Sequence, residues 1–173
     1  MTTTTTTTAG AAAGAPAGDE ESVRAANKAL VRRVYDEVLN GRRLHLVDAL
    51  VSPDFVDRFG RDPDLRGPEV LKSVARLLFE GFPDAHFRVE DVLAEGDEVA
   101  LRWTMTGTNT ATFRGFPATG RAVRVPAIVL YRVQAGRLAE FWPMIDLLGR
   151  LTQLGRGPQT APPGPPAPPA PPA

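Results

Sequence analysis

A carboxylate near the end of the last predicted strand is the side chain best placed for acid–base chemistry. Asp146 shares the alternation of that strand with Trp142 and Met144, so a regular strand puts all three on one face. The large apolar neighbours predict a buried face, and burial raises the pKa of a carboxyl group. Such a carboxylate is a competent base toward a C–H bond between two carbonyls. The alternative is a helix cap or a solvent contact, because Leu147 and Leu148 begin a turn.

Three further polar residues are candidates for the same chemistry. Asn109 has the groups to donate a hydrogen bond to a carbonyl or a developing enolate, but it transfers no proton at neutral pH; the alternative is an ordinary loop residue. Arg58 suits an anionic oxygen or a carboxylate, with a surface salt bridge as the alternative. Glu140 lies six residues before Asp146, roughly 20 Å along an extended strand. We therefore expect Glu140 to pair at the rim of a site rather than to act with Asp146.

Large apolar side chains in the second half of the chain suggest a pocket for a flat polycyclic ligand. Core packing is the alternative for each of them taken singly. The candidate lining residues are Trp103, Met105, Phe113, Phe116, Tyr131, Trp142 and Met144.

The sequence shows no metal site and no cofactor motif. His45 and His86 are far apart, and neither has acids and histidines clustered beside it. The glycine-spaced motifs that bind phosphate or dinucleotides, and the serine-hydrolase elbow, are not found. We therefore expect chemistry without a metal or a cofactor.

The composition is that of an ordinary globular protein and excludes several classes. The chain has 173 residues, 43% hydrophobic and 23% charged, and 20 basic and 20 acidic residues give a net charge of zero. This balance argues against binding to nucleic acid or to an anionic membrane surface. The absence of cysteine excludes disulfides, thiolate metal sites and thiol nucleophiles. No apolar run reaches the roughly 18–20 residues of a membrane helix, and no secretory signal is visible, so we expect a cytoplasmic protein.

Composition also predicts the domain organisation. Residues 1–18 are rich in Thr, Ala and Gly, and residues 156–173 are rich in Pro; neither segment has a periodic apolar face. We expect both to be disordered tails around one folded domain at 19–155.

Within that domain, helical periodicity comes first and strand periodicity later. Apolar residues recur at helical spacing over about 23–38, 44–50 and 68–79, with a short strand at 54–57. Alternation then predicts four antiparallel strands between about 86 and 146. This order indicates an α+β fold. The strand at 123–133 is apolar on both faces in its middle, so something must cover each side.

Several segments, taken in order, resemble the SnoaL-like polyketide cyclases of the NTF2-like superfamily. The resemblance is carried by NKALVRRVYDEVLN at 27–40, PDFVD at 53–57, FPD at 82–84, GTNT at 107–110, FRGFPATGR at 113–121, EFW at 140–142, Asp146, and QLG at 153–155. It implies a cone: a curved antiparallel sheet with three helices from the N-terminal half, enclosing a pocket. It also implies cofactor-free chemistry on a small molecule in polyketide biosynthesis, and a homo-oligomer, either a dimer or a tetramer.

The resemblance also assigns roles and shows departures. Asp146 occupies the position of the family's acid–base aspartate. Arg58 and Asn109 stand where many relatives carry histidine, and Ala111 replaces a glycine. A mechanism that uses either histidine as a base is therefore not available to this protein.

The sequence leaves three functional hypotheses. The first is a cyclase in which Asp146 initiates an intramolecular aldol closure. The second is another enzyme on the same scaffold, such as an epoxide hydrolase, an isomerase or a cofactorless hydroxylase, since fold does not determine chemistry. The third is a non-catalytic binding module, whose hallmark would be a cone packed solid by Trp103, Trp142 and Tyr131.

Overall fold

Helices precede most of the sheet, as the sequence predicts. The computed structural model describes residues 17–60 and 64–157. Helix α1 (Ala17–Arg33) continues as a π-helical segment (Val34–Asn40), and a 3₁₀ turn (Leu44–Leu46) leads into α2 (Val47–Leu50). Helix α3 (Pro68–Gly81) and a last helix, α4 (Leu147–Gln153), follow later in the chain. The predicted tails lie outside the described residues, except for positions 17, 18, 156 and 157.

Five strands form one curved sheet. They are β1 (Val51–Asp57), β2 (His86–Glu95), β3 (Glu98–Thr108), β4 (Ala122–Gln134) and β5 (Arg137–Ile145), in the order β1-β5-β4-β3-β2. Neighbours from β2 to β5 are antiparallel, and β1 is parallel to β5. The register shifts within β2 and within β5, and such bulges bend a sheet. The α+β fold with a curved sheet is therefore confirmed.

The start of α3 shows how local chemistry positions an element. Gly67 has φ +72°, and a Cβ there would lie 2.5 Å from the carbonyl oxygen of Pro53, so glycine alone fits. Pro68 then occupies the first helical turn, where a missing N–H costs nothing. The helix buries Val70, Ala75 and Leu78 against the sheet.

The core lies on one face of the sheet only. In β4, every second residue from Val123 to Val133 is buried, and the residues between them are exposed or half-buried. Ile128 in the middle of the strand is 58% exposed. Within residues 17–60 and 64–157, the expectation that each apolar face of β4 is covered is therefore wrong, because Ile128 stands on a face that no other described residue buries.

Candidate functional site

A cavity lies between the concave face of the sheet, α3 and the π-helical segment. The cavity has a volume of about 110 Å³, counted as the space open to the centre of a water molecule. Its wall is mainly apolar and includes Leu39, Leu71, Leu78, Phe87, Val125 and Ile145. Val74 of α3 and Leu147 of α4 also line it, yet they are 41% and 49% exposed, which places its mouth between these two helices.

Two tyrosines and a tryptophan bring polar atoms to this apolar wall. Tyr35 comes from the π-helical segment, Trp103 from β3 and Tyr131 from β4, and all three are buried. The two tyrosine hydroxyl groups are 2.9 Å apart and share a hydrogen bond. Burial raises the pKa of both phenols, so both are protonated at neutral pH.

A second polar part of the wall is cationic. Arg114, in the β3–β4 connection, and Arg150, in α4, both line the cavity. Their guanidinium carbons lie 5.8 Å and 4.8 Å from the ring centroid of Phe113. Burial, and secondarily the charge of Arg114, lowers the pKa of Arg150 to about 10, so this side chain remains a cation at neutral pH. This end of the cavity suits an anionic or electron-rich group.

A half-buried carboxylate belongs to the same neighbourhood. Asp57 ends β1, and its Oδ1 accepts a hydrogen bond of 2.9 Å from the backbone N–H of Phe59. Burial raises the pKa of Asp57, against smaller opposing effects of backbone N–H groups and of Arg114. The charge of Asp57 in turn adds to the effect of burial on the pKa of Tyr131. Asp57 thus interacts electrostatically with two cavity-lining residues.

The structure brings together only part of the predicted binding set. Trp103, Met105, Phe113 and Tyr131 line the cavity. The remaining candidates lie outside its wall: Arg58, Phe116, Trp142 and Met144. The expectation that Trp142 and Met144 share a buried face is wrong, since Met144 is 65% exposed.

A bulge in β5 is the physical reason. Leu138 pairs with Val133, but Glu140 pairs with Arg132, so Ala139 is an extra residue in β5. One inserted residue reverses the face on which all later side chains stand. Phe141 and Ile145 therefore line the cavity, and the even-numbered residues after the bulge stand on the outer face.

Asp146 has the contacts of a helix cap. It is exposed, and its Oδ1 accepts a hydrogen bond of 2.7 Å from the backbone N–H of Gly149 at the start of α4. The predicted burial of Asp146 is therefore wrong, for the same reason of strand register. Its backbone nevertheless lies between Ile145 and Leu147, both of which line the cavity.

Asn109 is fully engaged within the protein. Its Nδ2 donates to the carbonyl oxygens of Gly81 and Ala111, at 3.3 Å and 2.8 Å, and its Oδ1 accepts from the N–H and hydroxyl of Thr119. Both amide protons are used, and the side chain is outside the cavity wall. This geometry corrects the expectation that Asn109 donates to a substrate oxygen: it closes the long β3–β4 connection instead.

The pairing expected of Glu140 is confirmed. Its carboxylate accepts from Arg58 Nε at 2.6 Å and from Arg132 Nη1 at 2.8 Å. Burial alone would raise the pKa of Glu140, but the two guanidinium groups together lower it. Both guanidinium groups also lie near the ring of Trp142, at 6.0 Å and 5.3 Å. Arg58 is therefore a salt-bridged arginine on the outer face.

Sequence reasoning missed Tyr35, Asp57, Arg114 and Arg150. Tyr35 belongs to an aliphatic stripe of the first predicted helix, a pattern typical of core residues. Its hydroxyl group, which a core position does not need, was the one feature that could have indicated a functional role. Arg150 follows the last predicted strand, in a segment where the sequence pattern predicts no helix. No sequence pattern shows that Asp57 or Arg114 is close to a cavity. Asp57 ends a strand whose partner, β5, is far along the chain, and Arg114 lies in the long β3–β4 connection, whose path no periodicity predicts.

Two further observations concern residues 17–60 and 64–157. No helix among them has the length and apolarity needed to cross a membrane. Their His, Asp and Glu side chains form no group of three or more that is placed to hold a metal ion.

A curved sheet that encloses an apolar cavity beneath helices is the architecture of the NTF2-like proteins. Within that class, the chain belongs to the SnoaL-like polyketide cyclase family, whose sequence profile matches residues 29–154. The resemblance seen in the sequence is therefore confirmed.

Individual relatives agree with this assignment. Aklanonic acid methyl ester cyclase DnrD of Streptomyces peucetius is 32% identical over 142 residues, covering 78% of this chain and 94% of DnrD. The cyclase of the same description from Streptomyces sp. strain C5, DauD, is 33% identical over 142 residues, covering 78% of this chain and 84% of DauD. The solved structure of TsrD from Streptomyces laurentii matches with a TM-score of 0.70 at 27% identity, covering 77% of this chain and 97% of TsrD.

Proposed function

We propose that this protein is a cofactor-independent cyclase of polyketide biosynthesis that closes a ring by an intramolecular aldol-type reaction. The observation that carries the proposal is the open, aromatic-lined cavity with two arginines at one end, in a chain of this family. Flat substrates that carry carbonyl groups match such a wall. We expect the enzyme to act in the cytoplasm on a small-molecule substrate, and to bind neither nucleic acid nor a membrane.

The reaction balances without a co-reactant. A carboxylate removes a proton from a carbon between two carbonyls, and the enolate carbon attacks a second carbonyl carbon of the same molecule. A C–C bond forms, the π pair of that carbonyl moves to its oxygen, and this oxygen takes the proton back from the carboxyl group. The cavity contributes by holding the substrate folded, an effect on the order of several kcal/mol.

Two carboxylates are candidates for the base. Asp146 has the position that the family resemblance implies, and it adjoins two lining residues. Burial raises the pKa of Asp57, which makes its carboxylate a stronger base than an exposed one. We assign proton removal to Asp146 on its family position, although its side chain is exposed and caps α4, so the substrate must present its acidic C–H at the cavity mouth beside Leu147. Asp57 is the competitor that the experiment must exclude.

The test compares variants on aklanonic acid methyl ester, the compound that the names of DnrD and DauD specify. Asp146→Asn should lower kcat about 10²-fold or more, because the amide cannot remove a proton. The variant should keep its fold, since asparagine also caps helices. Asp57→Asn should cost less than about tenfold. The control is Asp91→Asn, an exposed strand aspartate paired with Arg102. An active Asp146→Asn together with an inactive Asp57→Asn would move the role of base to Asp57.

Product analysis in ¹⁸O-labelled water separates the other reactions. Cyclisation gives an unlabelled isomer with one more ring. A labelled product would indicate epoxide hydrolysis, and an added unlabelled oxygen would indicate hydroxylation. A bound but unchanged compound would indicate a binding module; against that reading, Trp142 lies outside a cavity that Trp103 and Tyr131 leave open.

A further inference from the structure

We propose that Tyr35, Tyr131 and Trp103 form a two-donor hydrogen-bond site in the cavity wall that binds a carbonyl oxygen of the ligand. The choice of a polycyclic carbonyl compound as ligand rests on the proposed function, because ring closure needs an electrophilic carbonyl. The donor site itself rests on the geometry of three side chains.

The first argument is a count of protons. Two phenol O–H groups and one indole N–H meet in the wall, all on buried residues that line the cavity. The bond between Tyr35 and Tyr131 uses one phenol proton, whichever oxygen donates. The indole of Trp103 also acts on the Tyr35 hydroxyl as a hydrogen-bond donor and lowers the pKa of that phenol, but accepting from an indole uses no phenol proton. One phenol proton of the pair therefore remains available. Because both tyrosines line the cavity, this proton is a hydroxyl donor for a ligand bound there.

The second argument is the indole nitrogen of Trp103. Of the buried side-chain nitrogen and oxygen atoms in the described part of the chain, Trp103 Nε1 is the one that makes no hydrogen bond of normal distance and angle. The Tyr35 hydroxyl is near enough to interact with this donor, but it does not satisfy it. Trp103 is 95% buried, since 5% of it is exposed, and its ring lies 5.0 Å from that of Phe87 and 6.2 Å from that of Tyr35. A buried unpaired donor costs about 1–3 kcal/mol. A ligand acceptor would remove that cost.

The third argument selects the kind of acceptor. Both phenols are neutral and so is the indole, so the site offers donors without a positive charge. An uncharged carbonyl oxygen, which accepts two hydrogen bonds, matches this pair of donors. The cationic end, with Arg114 and Arg150, is the separate place for an anionic group. Tyr35 also stands in a π-helical segment, a distortion that is frequent at functional sites.

The donor site would also contribute to catalysis, because the bound carbonyl oxygen gains negative charge during the reaction. When the enolate attacks a carbonyl held here, its oxygen becomes negative. Hydrogen bonds from a fixed O–H and N–H in an apolar cavity strengthen as that charge develops. The site would therefore bind the electrophile in the ground state and stabilise it further in the transition state.

The experiment measures binding, so it does not depend on turnover. The probes are anthraquinone-2-sulfonate and anthracene-2-sulfonate, which share a ring skeleton and a sulfonate and differ in the two carbonyl groups. The full-length protein should bind the quinone about tenfold more tightly or better, since each hydrogen bond contributes about three- to tenfold. Tyr35→Phe combined with Tyr131→Phe should lower this preference about three- to tenfold and leave anthracene-2-sulfonate binding unchanged. Replacing both partners by phenylalanine keeps their volume, so the double variant should fold.

The indole proton gives a direct readout. The chain has two tryptophans, so the ¹⁵N-labelled protein gives two indole N–H signals, and Trp142→Phe assigns them. The quinone should move the Trp103 signal downfield and leave that of Trp142, on the outer face, in place. Trp103→Phe should lower the quinone preference about three- to tenfold.

Equal affinity for the two probes, or no binding of either, would overturn the donor site. So would a Trp103 indole signal that anthracene-2-sulfonate moves as much as the quinone does. A confirmed quinone preference in a protein that does not cyclise its substrate would keep the donor site and reject the proposed function, so the two failures are distinguishable.

Discussion

At the scale of single residues, Asp57 shows how partial burial changes ionisation. Its pKa is raised in the folded protein, so the folded state holds this proton more tightly than the unfolded chain does. Between the two pKa values the free energy of unfolding therefore falls as the pH rises. The charged form of Asp57 destabilises the fold at neutral pH, and acid relieves that cost.

Asp57→Asn should consequently raise the thermal midpoint at pH 7. Asparagine keeps the Oδ1 acceptor for the N–H of Phe59, and it carries no charge to desolvate. The gain should disappear in acid, below the unfolded pKa of about 3.9. Calorimetry across this pH range is the measurement; a midpoint that falls at pH 7 would show that the attraction between Asp57 and Arg114 outweighs desolvation.

Glu140 changes the stability with pH in the opposite direction to Asp57. Its pKa is lowered in the folded protein, so its stabilising effect is present above the unfolded pKa of about 4.3 and is lost as the pH falls through the folded value. Glu140→Gln leaves Arg58 and Arg132 without their shared carboxylate. We expect a loss of about 1 kcal/mol in the free energy of unfolding at neutral pH, shrinking in acid.

Denaturant titration at several pH values measures this effect. Asp91→Asn, which breaks an exposed pair with Arg102, should cost less than about 0.5 kcal/mol and serves as the control. A loss for Glu140→Gln that is independent of pH would indicate packing rather than charge.

At the scale of elements, α4 depends on one side chain for its start. Asp146 accepts the N–H of Gly149, and α4 carries Leu147 and Arg150 into the cavity wall. Asp146→Ala should therefore cost about 1 kcal/mol, with faster amide exchange over α4, whereas Asp146→Asn should cost little. Equal stability of the two variants would show that the cap contributes nothing.

Gly149→Ala tests the same contact from the other side. A Cβ at this position would lie 2.0 Å from Oδ2 of Asp146, so the carboxylate must leave its cap. Alanine is otherwise the better helix former by about 1 kcal/mol. A destabilised Gly149→Ala with fast exchange over α4 is the expected result, and a stabilised variant would show that the cap rearranges freely.

At the scale of the whole molecule, part of the outer face of the sheet is apolar and is left uncovered by residues 17–60 and 64–157. Ile128 and Met144 are 58% and 65% exposed, and they face each other in the β4–β5 register. Leu130 and Trp142 form the next cross-strand pair. The sequence predicts that the second apolar row of β4 is covered, and a second copy of the chain offers a self-complementary surface for this by symmetry.

We expect the protein to be a homo-oligomer, a dimer in the simplest case, joined through this face. Ile128→Lys combined with Met144→Lys should shift the mass measured by light scattering from two chains to one, because each lysine would be buried unpaired at the contact. Val23→Lys changes an exposed valine on α1 and is the control. A wild-type protein that runs as a monomer would reject the expectation.

The elements themselves follow from local patterns. The alternation of Val99, Leu101, Trp103 and Met105 predicts both β3 and the side of the sheet that its residues face, and the structure agrees. Pro68 and the apolar stripe of α3 predict that helix in the same way. Helix α4 was missed because its cap, Asp146, is equally consistent with a strand residue.

The sequence by itself therefore determined the order of helices and strands, the α+β class and the family, because hydrophobic periodicity and short motifs depend on near neighbours along the chain. The tertiary structure alone decided which side chains share the cavity. Tyr35 and Tyr131 are 96 residues apart, β1 pairs with a strand far along the chain, and one extra residue at Ala139 turns Asp146 outward. Strand register and long-range packing are set by the summed contacts of the whole sheet, and no local spacing contains them.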